Sequence, residues 1–245
     1  MISIPLDRQS FLHKFLIPLS RVSDECRICM TRNELYSLVS NTDGSLVLQS
    51  SCSANIEIDE PVYINIKDVQ KLVRVIDCIR EDFIELKLDD NASVLKYSSK
   101  GLSFKLHLVT DKVLRKAHLS AEKINGLQYD CGFELTGASL GEVIRSSVFA
   151  AESNKIYLYT KDTDIYADLT NKAEADYDSV TLCVASDYTG PAIEPLPFSL
   201  DALRVISGNK PDIITVNINN RYKIISFKIQ TNEGRLQYLV PSFSK

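Results

Sequence analysis

The sequence predicts an α+β fold built from two copies of one domain. Three observations support this: a collinear internal repeat, amphipathic helices at equivalent places in each half, and β-rich segments divided by turn residues. The chain has 245 residues, of which 44% are hydrophobic and 24% charged. These values are typical of a globular protein and exclude disordered and fibrous classes.

The internal repeat has an offset of about 130 residues. Val73-Arg74-Val75-Ile76 returns as Leu203-Arg204-Val205-Ile206, and other apolar segments return in the same order. A collinear series of matches indicates duplication of a structural unit. We therefore predict domains at 1–110 and 131–245, joined by a polar, aperiodic connector at 111–130. The further matching pairs are 83–88 with 213–218, 94–97 with 224–227, and 26–31 with 155–160.

Two helices are predicted in each copy, at 7–19 and 67–80 in the first and at 139–150 and 200–210 in the second. Apolar residues recur there at the spacing of one helix face, and Gly208 and Pro211 indicate the end of the last helix. The residues expected to face inward are Phe11, Leu12, Phe15, Leu16, Leu19, Val69, Leu72, Val73, Ile76, Ile79, Leu140, Val143, Ile144 and Val148.

The segments between the helices are rich in β-branched and aromatic residues, which favours strands. Turn residues separate them, as at Asn41-Thr42-Asp43-Gly44. The turn Asp89-Asp90-Asn91 of the first copy has its counterpart at Asn219-Asn220-Arg221 in the second.

Positive charge is concentrated on the helices of this acidic chain, whose formal net charge is −4. The four helices carry nine basic and five acidic residues, whereas the rest of the chain carries 19 basic and 27 acidic residues. Lys67, Lys71 and Arg74 form one stripe opposite the apolar face, which suits sequence-independent attraction to phosphates. A solvated helix face is the alternative interpretation. The candidate DNA-binding residues are Arg8, Lys14, Lys67, Lys71, Arg74, Arg80, Arg145, Arg204 and Lys210.

Catalytic and metal-binding motifs are not found in the sequence. Nucleophile-elbow, P-loop, zinc-protease and dinucleotide-binding motifs are all missing, so we expect neither an enzyme nor a cofactor. Cys26 and Cys29 form a single C-x-x-C without a second ligand pair, and on a strand they would point to opposite faces. We expect them, like most of the six cysteines, to be packed reduced thiols.

The sequence has no apolar run long enough to span a membrane and no signal-peptide pattern at its N-terminus. We therefore expect a soluble, intracellular protein.

Three segments resemble the DNA sliding clamp family, in particular its proliferating-cell-nuclear-antigen type and the clamps of large phages. These segments are 65–77 (NIKDVQKLVRVID), 83–99 (FIELKLDDNASVLKYSS) and 234–243 (GRLQYLVPSF). The resemblance covers nearly the whole chain in order and length. It implies a clamp fold, with two β-α-β-β-β units in each domain, helices that line a central hole, and sheets outside. The implied function is that of a polymerase processivity factor, which encircles duplex DNA as a ring and tethers replication proteins.

The resemblance also implies assembly and partners. Two domains per chain imply a homotrimer closed by edge strands near 102–109 and 179–186, on double-stranded DNA, with a DNA polymerase and a clamp loader as partners. A clamp relative that acts as a monomer or within a hetero-ring is the alternative. Little acidic tail follows the last strand, which favours a phage or viral origin. The residues implied to bind partner peptides are Met30, Leu114, Leu119, Val240 and Pro241.

Overall fold

The structure is a computed structural model that describes residues 1–115, 117, 119–150, 154–170 and 178–243. The chain forms two compact units. Unit 1 comprises Met1–Ala121 with Gln230–Leu236, and unit 2 comprises Glu122–Ile229 with Gln237–Lys245. The division of the sequence into domains at 1–110 and 131–245 with a connector at 111–130 stays a prediction.

Unit 1 contains two successive β-α-β-β-β units. The first runs through β1 (Ile2–Asp7), α1, β2 (Cys26–Met30), β3 (Glu34–Ser40) and β4 (Val47–Ser53). The second runs through β5 (Val62–Ile66), α2 (Val69–Asp77), β6 (Phe83–Leu88), β7 (Val94–Ser98) and β8 (Ser103–His107). Helix α1 consists of a π-helical stretch, Ser10–Leu16, continued by an α-helical turn, Ile17–Ser20. A short 3₁₀ turn at Asp111–Val113 and helix α3 (Ala121–Asn125) follow β8.

Unit 2 repeats this order of elements. Its first β-α-β-β-β unit runs through β9 (Cys131–Thr136), α4 (Gly137–Ser146), β10 (Lys155–Lys161), β11 (Asp164–Leu169) and β12 (Val180–Ala185). The second runs through β13 (Leu196–Ser199), α5 (Leu200–Ser207), β14 (Ile213–Asn219), β15 (Ile224–Thr231) and β16 (Gly234–Pro241). The fold class inferred from the sequence, α+β with four such units, is confirmed.

Units 1 and 2 each contain two β-α-β-β-β repeats. The first strand of each repeat forms its hydrogen bonds with the strands of the other repeat in the same half of the chain. Strand β1 joins the order β1-β6-β7-β8, and β5 joins β5-β2-β3-β4. Likewise β13 joins β12-β11-β10-β13, and β9 lies beside β14 in the order β16-β15-β14-β9. The register runs from Ile2 opposite Leu88 to Asp7 opposite Phe83 in one case, and from Cys131 opposite Ile218 to Thr136 opposite Ile213 in the other. This exchange holds the two halves of each domain together.

Most residues on the apolar faces of the helices are buried as the sequence predicts, but Val73 and Ile144 are only half-buried and one residue is exposed. Leu72 and Ile76 on α2 and Leu140 and Val143 on α4 are buried, as is the apolar face of α1. However, Val148, expected to face inward, has 79% of its surface exposed. Helix α4 ends at Ser146. The hydroxyl of the following residue, Ser147, donates a hydrogen bond to the Ile144 carbonyl at 2.7 Å. The predicted helix is therefore too long, because a side chain satisfies a carbonyl at its end.

Two further helix boundaries differ from the sequence prediction. The segment from residue 7 begins as strand, because Asp7 pairs with Phe83 in the β1–β6 ladder. The last helix ends at Ser207, and its Gly208 has ordinary right-handed φ, whereas Lys210 adopts the left-handed conformation with φ 49°. The predicted turn at 41–44 is confirmed: Gly44 has φ 72°, where a residue without Cβ is favoured.

Candidate nucleic-acid and partner interfaces

The basic side chains of α2 lie on the face opposite its buried residues. Val69, Leu72 and Ile76 are fully buried. Lys71 and Arg74, by contrast, are exposed. In the part of the chain that the structure describes, neither of the two forms an ion pair. Both charges are therefore available to an external anion.

Lys67 precedes α2 instead of lying on it. The helix begins at Val69, and Asp68 caps it by accepting a hydrogen bond from the Lys71 N–H at 2.8 Å. Lys67 is exposed at the end of β5, one residue before this cap. The prediction of a helix from residue 67 is wrong, because the Asp68 side chain satisfies the free N–H groups and fixes the start. The predicted stripe therefore consists of Lys71 and Arg74 on α2, with Lys67 just before the helix N-terminus.

Helix α2 is held against α1. The Gln70 amide donates to the Ser20 carbonyl at the end of α1, with a distance of 3.0 Å. At the start of α1, the carboxylate of Asp7, the last residue of β1, accepts a hydrogen bond from the Ser10 N–H at 2.7 Å, and hydrogen bonding from Ser10 lowers the pKa of the Asp7 carboxyl. The two helices form a fixed pair, from which the α2 cations project into solvent.

Three other candidate DNA-binding residues have partners within the protein. Lys14 forms an ion pair with Glu233. Arg204 pairs with Asp201 at 2.7 Å and donates to Ser147 Oγ at 3.3 Å, and Arg8 Nε donates to the Glu81 carbonyl at 3.0 Å. A DNA phosphate would compete with these contacts. The remaining candidates, which are all exposed, are Arg80, Arg145 and Lys210.

The connector lies over a cleft in unit 1. Asp111 forms an ion pair with Arg27 at 3.1 Å, and the Arg27 guanidinium stacks on the Tyr63 ring at 4.0 Å. The Arg115 N–H donates to Glu25 at 3.0 Å. The cleft beneath has a volume of about 410 Å³, and the residues that line it include Cys29, Tyr36, Leu38, Leu114 and Leu119.

The Tyr36 hydroxyl in this cleft is buried without a hydrogen-bond partner among the described residues. Burial raises the pKa of this hydroxyl. An unpaired buried hydroxyl costs about 1–3 kcal/mol, so a ligand with a polar group at this point would gain a hydrogen bond. The residue was not among the candidates from the sequence. Tyr36 follows the buried Leu35 on β3, so strand alternation directs its side chain to the opposite face of the sheet. This alternation is the sequence signal that could have identified Tyr36 as a surface candidate.

The five residues implied to bind partner peptides have different surroundings. Leu114 and Leu119 line the connector cleft. Met30 and Val240 are fully buried in the cores of their units, whereas Pro241 is exposed. Side-chain contact with a partner is therefore open to Leu114, Leu119 and Pro241 as the protein stands.

Two strands expected at the edges of sheets are edge strands. Strand β8 ends the order β1-β6-β7-β8, and β12 ends the order β12-β11-β10-β13. Helix α4 contacts β12, and the turn after α4 exposes Val148 and Phe149, with 79% and 65% of their surfaces accessible. Unpaired edges and exposed apolar side chains together favour contact with another chain. The exposure of Val148 and Phe149 was missed because the sequence predicts a helix there.

The cysteines are unpaired thiols in different surroundings. Cys26 is buried and Cys29 is half-buried, three positions apart on β2, where alternation places them on opposite faces. Cys52 and Cys131 are also buried, whereas Cys78 and Cys183 are exposed. No helix in the described ranges is long and apolar enough to cross a membrane.

Four β-α-β-β-β units, with a basic helix and free edge strands, define a clamp-type fold. Two curated proteins named DNA polymerase sliding clamp are similar to the chain. The one from Methanocorpusculum labreanum is 23% identical over 233 residues, covering 91% of this chain and 90% of its own length. The one from Methanosarcina mazei is 27% identical over 208 residues, covering 80% and 78%. No family model matches.

A solved structure of the C-terminal region of FEN-1 bound to A. fulgidus PCNA has the same fold. Its TM-score is 0.81 at 14% identity, and the match covers 100% of this chain and 99% of that one. The resemblance to the DNA sliding clamp family inferred from the sequence is therefore confirmed: the chain is similar to curated DNA polymerase sliding clamps over most of its length. Both curated relatives are archaeal, so the phage or viral origin expected from the short tail stays a prediction.

Proposed function

We propose that this chain is a subunit of a DNA sliding clamp, a non-catalytic processivity factor that encircles duplex DNA and tethers a DNA polymerase. The observation that carries the proposal is the clamp fold over the whole chain, together with curated sliding-clamp relatives over most of it. A ring holds DNA by enclosure, so the protein needs weak, sequence-independent contacts instead of a tight binding site.

The contacts to DNA are assigned first to Lys67, Lys71 and Arg74. These three cations are exposed and lie at one end and along one side of α2. Long, flexible side chains without interleaved aromatic rings suit phosphates and not stacked bases. Arg80, Arg145 and Lys210 are exposed and can add to the field, whereas Arg8, Lys14 and Arg204 contribute less because protein groups already hold them.

The ring is proposed to be a homotrimer, in which β8 of one copy pairs with β12 of the next. Strand β8 alternates between exposed and half-buried side chains, β12 does so as far as Cys183, before the buried Val184, and each strand has a free edge. Val148 and Phe149 follow α4, which contacts β12, and in the proposed ring they would be covered by the neighbouring copy. Closed cyclic symmetry would remove both unpaired edges from solvent. A clamp relative that acts as a monomer or within a hetero-ring remains the second candidate.

Partner proteins such as a polymerase and a clamp loader are proposed to bind at the connector cleft. The cleft combines the apolar side chains of Leu114 and Leu119 with the unpaired Tyr36 hydroxyl. Apolar anchors with one placed polar group are typical of peptide sites. Pro241, exposed at the end of β16 in unit 2, is a separate candidate contact for a partner.

Enclosure is tested by placing the clamp on nicked circular duplex DNA with a loader and then cutting the circle. We expect the complex to persist on the circle through gel filtration and to be lost after linearisation, because the ring slides off a free end. Blocking both ends with bound streptavidin should restore retention. Retention on unblocked linear DNA would show ordinary site binding and contradict the proposal.

The oligomeric state is tested by mass photometry of the purified protein. A trimer mass is expected from the proposal, whereas a stable monomer at micromolar concentration would favour the second candidate. If the protein is a monomer, mixing it with candidate subunits of a hetero-ring and repeating mass photometry distinguishes the two forms of this candidate. A member of a hetero-ring would form a larger complex, whereas a protein that acts as a monomer would not.

A further inference from the structure

Three lysines lie side by side on the solvent face of the sheet β1-β6-β7-β8. Lys87 on β6 is opposite Lys96 on β7, and Lys96 is opposite Lys105 on β8. Lys87 and Lys105 are exposed and Lys96 is half-buried. We call these three residues the lysine row. Directly opposite residues on neighbouring strands have Cβ atoms about 5 Å apart, so like charges there repel each other and destabilise the sheet.

The residues that the structure describes give the lysine row no ion pair. Two carboxylates lie diagonally from Lys96, and both have other partners. Glu85 accepts a hydrogen bond from the Ser3 hydroxyl, and Asp89 accepts from the Ser93 N–H at 2.7 Å and from the Ser93 hydroxyl at 2.6 Å. Hydrogen bonding from Ser93 is the main cause of the lowered pKa of Asp89, and the charge of Lys96 contributes least. The positive charge of the row is therefore available to an external anion.

The equivalent row of unit 2 is neutral. Asn217 and Ser226 lie opposite each other on β14 and β15, 130 residues after Lys87 and Lys96. On the neighbouring strand β16, the Gln237 amide donates to the Ser226 hydroxyl at 3.1 Å. The fold of the repeat therefore does not require charged side chains at these positions, and folding does not explain the lysines of unit 1.

A segment of the chain covers this face in unit 2. The Gln237 amide also donates to the Tyr129 hydroxyl at 3.1 Å, and the Lys228 ammonium lies 5.2 Å from the centroid of the Tyr129 ring. Ser226 and Gln237 are buried. In unit 1, by contrast, both ends of the lysine row are exposed, so the described residues leave the row open. One copy of the domain thus binds a segment on this face, and the other presents the face to solvent.

We propose that the lysine row is a docking site for an acidic helix of a partner protein. Neighbouring strands lie about 4.8 Å apart, so the row presents one charge at roughly 5 Å intervals across the sheet. Carboxylates at positions i, i+4 and i+7 of a helix lie on one side of it, at steps of about 6 and 4.5 Å along its axis. In an extended chain, residues on one face are about 6.7 Å apart and match the row less well. The partner is a further protein, since the proposed function assigns the DNA and the polymerase to other surfaces.

Nucleic acid fits this surface less well than an acidic helix. The positions next to the row on the same face are Glu85, Ser98 and Ser103 in one direction along the strands, and Asp89, Val94 and His107 in the other. The positive charge therefore does not continue into a track for a phosphate backbone. None of these positions carries Phe, Tyr or Trp, on which bases would stack.

The probe is a fluorescein-labelled peptide of alanine and glutamine, about 20 residues long so that it is helical, with three glutamates at i, i+4 and i+7. Fluorescence anisotropy at low salt measures its binding to the full protein. A second peptide of the same composition has its glutamates at i, i+2 and i+5, which point to different sides of the helix. We expect the second peptide to bind about fivefold more weakly, because it can form only one of the three ion pairs. Circular dichroism checks that both peptides are helical.

Protein variants locate the bound peptide. Replacing the whole lysine row with Gln should weaken binding about tenfold, because all three ion pairs are lost. A matched control replaces three exposed lysines elsewhere with Gln and should leave binding unchanged; these are Lys112, Lys161 and Lys223. Thermal unfolding shows whether each variant keeps its fold. Carbodiimide coupling of the bound peptide, followed by mass spectrometry, should join its glutamates to the lysine row.

The proposal is overturned if the first peptide does not bind, if both peptides bind equally, or if the two protein variants bind it equally. Coupling only at lysines outside the row would also contradict it. A short labelled DNA duplex is titrated in parallel, and its affinity should not depend on the row. If replacing the row weakens duplex binding more than peptide binding, nucleic acid is the occupant and the proposal is wrong.

Discussion

The Lys14 ammonium and the Glu233 carboxylate form an ion pair between α1 and the turn that joins β15 to β16. The two residues are 219 positions apart, and each side chain is about half exposed. Cys52, close to this pair, has a pKa raised to about 11, mainly by burial, while the Lys14 charge opposes the shift. The pair neutralises a cation that the sequence alone assigned to DNA.

Lys14 should therefore contribute little to DNA binding while Glu233 is present. We expect Lys14→Gln to leave the salt dependence of DNA retention nearly unchanged. Glu233→Gln should free the cation and steepen the slope of log K against log salt by up to about one. Retention on nicked circles over a salt series measures both effects, and a loss with Lys14→Gln as large as with Lys71→Gln would contradict the prediction.

The cations on and beside α2 should account for most of the salt-dependent DNA attraction of unit 1. Replacing Lys67, Lys71 and Arg74 together with Gln should lower polymerase stimulation and flatten its dependence on salt, because three phosphate contacts are lost. Oligomeric state and fold should survive, since these side chains lie outside the core.

A matched control removes the same charge from the solvent face of a sheet. Lys87, Lys96 and Lys105 lie opposite one another on β6, β7 and β8, and their replacement with Gln should leave polymerase stimulation unchanged. Relief of like-charge contacts should make this control slightly more stable. Equal losses in both triple variants would indicate a diffuse effect of net charge.

The exposed apolar pair after α4 should hold neighbouring subunits together. Val148→Asp combined with Phe149→Asp should shift the assembly toward monomer at micromolar concentration, because charged groups would be buried at the contact. Phe83→Asp is the control, since Phe83 is 80% exposed in a different part of the fold. Mass photometry is the readout. A trimer unaffected by the double substitution would place the contact elsewhere.

The Asp7 carboxylate should stabilise α1 in a pH-dependent way. Its hydrogen bonds from Ser10 lower the pKa of the carboxyl, so its stabilisation is present above the unfolded-state pKa near 4 and is lost as the pH falls through the folded-state pKa. Asp7→Ala should cost about 1 kcal/mol at pH 7, as for a helix N-cap. The difference in unfolding free energy between wild type and Asp7→Ala, measured by urea unfolding, should disappear below about pH 4. Asp59→Ala, at a fully exposed carboxylate, should show no such convergence.

Thiol labelling should separate the cysteines by burial. Burial raises the pKa of Cys26 to about 12, so this thiol stays protonated and enclosed at pH 8, and iodoacetamide should label it only after unfolding. Cys78 and Cys183 are exposed and should react in the native state. Labelling of Cys183 should slow as protein concentration rises, because β12 becomes covered. Peptide mass spectrometry distinguishes the sites, and rapid labelling of native Cys26 would contradict its burial.

Several features followed from the sequence because they depend on neighbouring residues. Helical spacing places Leu72 and Ile76 on one face whatever packs against it. The turns after β6 and β14 follow from residues that favour them locally. The 130-residue offset placed Phe83 and Ile213 at equivalent strand starts, and both are exposed, at 80% and 55%. These properties are fixed by segments of a few residues, together with their repetition.

Other features were decided only by the tertiary structure. The exchange of β1 onto β6 and of β13 onto β10 joins strands that no local pattern links. Helix propensity around residues 7 and 67 was overridden by the pairing of Asp7 with Phe83 and by the Asp68 cap. Whether a lysine on a helix is free depends on which distant carboxylate the fold brings to it, as Glu233 is brought to Lys14. Periodicity fixes which way a side chain points from its own element, but its partner is set by segments far away in sequence.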